Sequence, residues 1–167
     1  MECVIRKKEL KDCRRVAEVT VQCWNEAYKG IVDDKFLEDI KTRIDIMTTR
    51  AKESLNDSTS KYVLEVNNKI VGFINFSESE IEEYKGYGEI KAFYIIEEYH
   101  NYGLGRKLFE YAINKLGKKY KKIVIGCLSD NKTTKFYEHM GAKLDKVVKR
   151  PTGYQLLNEN MYILTIK

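Results

Sequence analysis

The chain has 167 residues, a formal net charge of +5, 43% hydrophobic and 33% charged residues, ten glycines and one proline. This is the length and composition of one ordinary globular domain, expected to span residues 1–167, and it excludes collagen-like, low-complexity and disordered classes. No apolar run approaches the ~20 residues that cross a bilayer, and Met1–Lys8 lacks the apolar stretch of a secretory signal, so a cytoplasmic protein without a membrane partner is expected.

Val4–Arg6 reads as a first strand, followed by a helix from about Asp12 to Glu26 with Val16, Val19, Cys23 and Ala27 on its apolar face. Asp33 or Asp34 can cap a second helix carrying Phe36, Leu37 and Ile40, and a third helical stretch runs from Ile44 to about Leu55. Tyr62–Val66 and Ile70–Phe76 are strands joined by a hairpin signal at Asn67-Asn68-Lys69. Glu78–Gly86 reads as acidic loop and Glu89–Ile96 as a strand. A helix opening at Gly103 follows, with Phe109, Ala112, Ile113 and Leu116 as its apolar stripe and Gly117 as its stop. Ile123–Leu128 is a buried-looking strand, Asn131 to Met140 a short helix, and strands near Lys143–Val148 and Met161–Ile166 finish the chain. Hairpins followed by a strand–helix–strand crossover predict a mixed α+β sheet with helices on its faces.

Cys3, Cys13, Cys23 and Cys127 have no C-x-x-C spacing and no histidine nearby, so no metal site is expected and the thiols read as buried. Lys118-Lys119-Tyr120-Lys121-Lys122 is either a solvated helix end or a polyanion contact. Scattered aromatics in a lysine-rich chain make a nucleic-acid partner the weaker expectation.

Two glycines, Gly103 and Gly105, stand where the helix begins, and glycine is a poor helix former. The P-loop pattern is absent from the chain. The dinucleotide fingerprint fails because Leu108 holds its third glycine position. What remains is a plain turn, or glycines that open a helix whose free N–H groups receive an anion.

The ordered set Glu89–Ile95, His100-Asn101-Tyr102-Gly103-Leu104-Gly105, Leu128-Ser129-Asp130-Asn131 and Phe136–Gly141 resembles the GCN5-related N-acetyltransferase (GNAT) superfamily over nearly the whole chain. The segment Trp24–Ile31 with Phe36-Leu37 resembles a bacterial branch that includes polyamine acetyltransferases. The resemblance implies a mostly antiparallel sheet of six or seven strands, with a parallel pair, Glu89–Ile96 and Ile123–Leu128, that splays apart. It also implies acetyl-coenzyme A as cosubstrate, without a metal.

By the same resemblance, Phe93, Tyr94 and Ile95 would offer backbone groups to pantetheine. His100, Asn101, Tyr102, Gly103, Leu104 and Gly105 would form the pyrophosphate turn, with His100 departing from the usual Gln or Arg. Asn131 would bind pantetheine or cap its helix, with Phe136 beside it; Arg106 and Lys135 read as phosphate contacts or as solvated surface. Glu89 matches the general base, or an exposed strand end, and Tyr137 the general acid, or a core aromatic. Trp24 and Tyr28 read as acceptor pocket or core. Candidate acceptors are a polyamine, another small amine, an amino acid or a protein amine, and Glu26, Asp33, Asp34 and Glu78–Glu83 are the carboxylates available to meet a cation. A second copy of the chain is a further candidate partner. A non-catalytic acyl-coenzyme A sensor is the alternative function.

Overall fold

The computed structural model describes residues 1–167. Seven strands form one sheet in the order β1-β2-β3-β4-β5-β7-β6. They are β1 (Cys3–Lys7), β2 (Ser60–Val66), β3 (Lys69–Glu78), β4 (Gly88–Ile95), β5 (Lys122–Leu128), β6 (Lys143–Thr152) and β7 (Gln155–Thr165). Every neighbouring pair is antiparallel except β4 and β5, which run parallel. The helices are α1 (Cys13–Ala27), α2 (Asp34–Lys41), α3 (Ile44–Glu53), α4 (Leu104–Leu116) and α5 (Thr133–His139).

Successive strand residues point to opposite faces, and the aromatic contacts show which helices cover each. Phe93 packs on Phe109 of α4, whereas Tyr94 accepts a 3.1 Å hydrogen bond from Trp24 Nε1 of α1. The sheet is therefore sandwiched between α1, with α2 and α3 beside it, and α4 with α5. The largest core cluster joins Val16, Val19 and Cys23 of α1 to the sheet and to Leu104, Leu108, Phe109, Ala112 and Leu116 of α4. Ala27, expected on the same face of α1, is exposed instead, because it borders an open cleft beside the sheet and not packed side chains.

Asn67 and Asn68 both take positive φ, 49° and 66°, and close the β2–β3 hairpin as their tolerance of the left-handed region allows. Asp33 caps α2 by accepting from the Lys35 and Phe36 amides. The final hairpin is longer than expected: β6 runs on through Pro151 to Thr152, and β7 already starts at Gln155. Pro151 is tolerated within it because β6 is the edge strand, where a missing N–H costs little.

One irregularity shapes the centre. Asn75 of β3 pairs with Ala92, but Phe76 pairs with Ile90, so Lys91 is an extra residue on β4. A bulge bends its strand and disturbs the ladder beside it. Accordingly β4 and β5 pair only over Gly88–Ile90 and Ile123–Ile125, then separate toward Ile95 and Leu128.

At the far end of the sheet, Arg6 donates to both oxygens of Asp12, at 2.7 and 2.9 Å, and to Glu65 at 2.7 Å. Asp12 is only 3% exposed, and Arg6 holds its carboxyl below the usual carboxylate range. A depressed carboxylate stabilises the fold at pH above its unfolded value of ~3.9, and the contribution disappears as pH falls through the lower folded value. Asp12→Asn should cost about 2–3 kcal/mol in urea unfolding at pH 7, and the difference from wild type should shrink as pH drops below about 4.

Candidate active site

Where β4 and β5 part, a cleft of about 860 Å³ opens, lined by α1, β4, the Glu97–Gly103 loop, the start of α4, β5, α5 and the β6–β7 hairpin. Past Ile90 the edge of β4 facing β5 has no strand partner, so its peptide groups around Phe93, Tyr94 and Ile95 line the opening.

That edge leads into the turn before α4. Asn101 and Gly103 both take left-handed backbone, with φ 66° and 76°, which turns successive N–H groups toward one side. Gly103 is the N-cap of α4, and no side chain caps the helix, so its first amides keep free N–H groups. The two glycines have different reasons. A Cβ on Gly103 would meet nothing within 4 Å, so it is the positive φ that demands glycine there. A Cβ on Gly105 would sit 3.9 Å from Ile95, Phe136 and Phe93, an ordinary contact. Leu104, between them, is buried in the core.

His100 does not point away. Its Nε2 lies 2.7 Å from the Ile95 carbonyl, which can only accept, so that nitrogen carries the hydrogen and ties the turn to the end of β4. Arg106 lines the cleft, with a guanidinium nitrogen 3.3 Å from His139 Nε2. Tyr102, 62% exposed, and Lys135, also exposed, lie outside the lining.

Tyr137 sits on the inward face of α5 among Phe93, Phe109, Phe136 and Tyr162. It is 5% exposed, and burial pushes its pKa well above the ordinary tyrosine value, so the hydroxyl keeps its proton. Burial likewise raises Tyr28 and pushes Tyr94 up to about 12. Asn131 is held from both ends of its amide: Oδ1 accepts from the Thr133 amide at 2.9 Å, shaping the start of α5, and Nδ2 donates to the Tyr28 hydroxyl at 3.1 Å. Trp24 and Tyr28 pack with tilted rings, 4.5 Å between centres, and both line the cleft.

Glu89 lies outside the lining and accepts a 2.8 Å hydrogen bond from Ser79 Oγ. Of the other carboxylates considered from sequence, Glu26 lines the cleft, whereas Asp33 is occupied in capping α2. Sequence reasoning missed Glu159, which lines the cleft from β7. The signal was available: alternation places Glu159 on the same face as the apolar Met161 and Ile163, where a charge is out of pattern. No three His, Cys, Asp or Glu side chains converge on a common point.

Comparison with known proteins decides the family. Residues 57–141, half of the chain and all of the cleft's β4–α4–β5–α5 frame, match the model of the acetyltransferase (GNAT) domain. The chain belongs to the GNAT acetyltransferase family. It is accordingly an enzyme that transfers an acyl group. No curated protein matches it by sequence.

Solved acetyltransferase structures share the fold from end to end. The PaiA N-acetyltransferase of Thermoplasma acidophilum, crystallised with coenzyme A, superposes with a TM-score of 0.81 at 18% identity, covering 99% of this chain and 100% of that one. An N-acetyltransferase of Staphylococcus aureus Mu50 does so at 0.73 and 19%, each chain covered completely. YncA of Salmonella typhimurium, solved with acetyl-coenzyme A, gives 0.69 at 19%, covering 100% of this chain and 95% of that one. Identities this low carry the fold and nothing finer.

The cleft of this acetyltransferase also holds Cys23 and Cys127, each pushed up to about 12, chiefly by burial. A thiol this reluctant to ionise is a poor nucleophile at neutral pH. Cys3 is half-buried; the other three are buried. A chromogenic disulfide reagent at pH 8 should therefore titrate one thiol quickly and three only after unfolding. Fast loss of Cys127 would instead mark it as a reactive thiolate.

Proposed function

We propose that residues 1–167 act as one unit that moves the acetyl group of acetyl-coenzyme A to a primary amine of a small molecule, an alkylamine or polyamine. The observation that carries this reading is the continuity of unpartnered backbone, from the free edge of β4 into the open N-terminus of α4, with the Tyr137 hydroxyl on the same cleft.

Acetyl-coenzyme A supplies an acyl group already activated as a thioester. The chain's own groups then have four tasks. The left-handed turn at Asn101 and Gly103 and the first amides of α4 hold the pyrophosphate, favoured by the positive end of the helix. His100, fixed to the Ile95 carbonyl, braces that turn, and Arg106 stands beside it as a further positive charge. Peptide groups of Phe93, Tyr94 and Ile95 pair with pantetheine as a strand would, and one N–H of this edge is available to the carbonyl oxygen as charge builds there. Asn131 presents the remaining hydrogen of its amide to the same arm.

Tyr137 faces the departing sulfur. Burial favours its neutral form, so it serves first as a hydrogen-bond donor to the sulfur, and the proton follows as negative charge accumulates there. The amine's proton leaves toward Glu89 through water, since Glu89 lies outside the lining. Trp24 and Tyr28 form the acceptor wall, and the carboxylates Glu26 and Glu159 give it the charge that suits a cationic amine.

Coenzyme A should raise the melting temperature, and NAD or ATP far less. Gly103→Val should abolish the shift by denying the turn its positive φ, while Gly105→Ala should keep it, because a methyl fits there. Absence of coenzyme A binding at sub-millimolar concentration would remove the proposal.

Tyr137→Phe should retain coenzyme A binding and lower turnover by roughly 10²-fold or more. Because Tyr137 is shifted upward, its proton stays on, and this deficit should be flat between about pH 6 and 9. Unchanged turnover in that variant would mean that another group supplies the proton. Coenzyme A binding without acetylation of any amine would favour a sensor.

A further inference from the structure

Four carboxylates line the cleft: Glu26, Glu97, Asp130 and Glu159. Glu26 has both oxygens engaged, accepting from the Glu97 amide at 2.8 Å and from Gln22 Nε2 at 2.7 Å. Glu97 and Asp130 are exposed to water. Glu159 differs from all three. It is 8% exposed; Arg150 Nε forms an ion pair with its Oε2 at 2.7 Å, and its Oε1 is buried with no hydrogen-bond partner. A buried carboxylate oxygen left unpaired is costly, and such atoms are rare in native proteins.

Its position is as telling as its isolation. Glu159 stands directly opposite Leu128 in the β5–β7 ladder, and Leu128 packs with Val21 and Tyr28 on the α1 side of the sheet. The unpaired oxygen thus belongs to the face opposite α4, at the end of β5 where the strands have parted. The neighbour that keeps space beside it is Gly126, which also lines the cleft: a Cβ there would come within 2.9 Å of Oε1. The charge of Glu159 is felt at the centre of the site, where it adds to burial in raising both the Cys127 thiol and the Tyr28 hydroxyl. Glu159 lines the cleft, and the terminal torsion of a glutamate is soft, so its carboxylate can turn to meet a partner there.

We infer that Glu159 is the receptor for the acceptor's ammonium group, its inner oxygen accepting from the amine while Arg150 holds the outer one. This rests on the reading of the enzyme as an amine acetyltransferase and adds the residue that selects a cation. The ammonium supplies the hydrogen bond that Oε1 lacks, and it does so on the side of the sheet away from the α4 N-terminus. Gly126 keeps that approach open.

The test is steady-state acetylation of a short alkylamine by the full chain, with coenzyme A binding followed by thermal shift. Glu159→Gln keeps the shape and removes the charge; it should raise the KM for the amine by roughly 10- to 100-fold, the usual weight of a charge-assisted hydrogen bond. Coenzyme A affinity should stay within about twofold, as the residue does not touch that side. Gly126→Ala, which retains the carboxylate but crowds Oε1, should raise the same KM. Wild-type turnover with an unaltered amine KM in Glu159→Gln overturns this inference and leaves the amine reading standing. So does a parallel loss of amine and coenzyme A binding, which would mark a structural residue. Wild-type protein that binds coenzyme A but acetylates no alkylamine removes both.

Discussion

The hydrogen-bond ladder between β4 and β5 covers only Gly88–Ile90 against Ile123–Ile125, because β4 carries one residue more than β3 at Lys91. A strand that has gained a residue twists away from its neighbour. The two strands are parallel, and their ladder could have continued to Ile95 on one side and Leu128 on the other. Stopping it leaves backbone donors and acceptors of β4 without partners in the middle of a sheet, where unpaired peptide groups are normally not tolerated. Here they border an open cleft, so water or a ligand can satisfy them. The bulge thereby converts a potential defect of the sheet into a recognition edge, and α4 and α5 on one face and α1 on the other become its walls.

The chemistry of the walls follows from their dryness. Tyr28, Tyr94, Tyr137, Cys23 and Cys127 are all pushed upward, with burial the largest cause for each. A site with these groups is rich in neutral donors and poor in intrinsic nucleophiles. This suits a direct transfer between two bound substrates better than a route through an acylated cysteine. Aromatic packing sustains the condition: Phe93, Phe109, Phe136, Tyr137 and Tyr162 touch one another across β4, α4, α5 and β7.

Much of this arrangement was legible in the sequence. The Gly103 turn was visible because two glycines contradict the helix that they open, and the parallel pair because a strand–helix–strand crossover surrounds that turn. Asn67-Asn68 and Asp33 spoke through backbone preferences that act locally. What was hidden depended on pairing between distant segments. No local pattern reveals that Lys91 is a bulge, since that is a statement about β3 as much as β4. The reach of β6 through Pro151 depended on its being an edge strand. Glu159 was missed because β7 was expected to start at Met161, which left the glutamate in a loop and its place on an apolar face unseen.

The two sides of the cleft differ in the kind of group that they leave unsatisfied. Toward α4 the unpaired groups are donors: the first amides of a helix with no side-chain cap, behind a turn of left-handed residues. Toward α1 they are acceptors. The buried side-chain atoms without partners are Asn75 Oδ1 on β3, beside the Lys91 bulge of β4 but outside the cleft lining, and Glu159 Oε1 on β7, which lines the cleft. Alternation puts Asn75 on the face of Phe73, which packs on Tyr94 and hence toward α1, the same face as Glu159. A donor-rich side suits an anion, and an acceptor-rich side suits a cation. An acyl donor carrying phosphates and an amine that arrives protonated have those opposite charges. In the proposed reaction the sheet would hold the two apart, and the gap between β4 and β5 is where they would meet. The fold accepts the cost of these unsatisfied atoms where it parts, and closes its hydrogen bonds elsewhere, as expected when function overrides local stability.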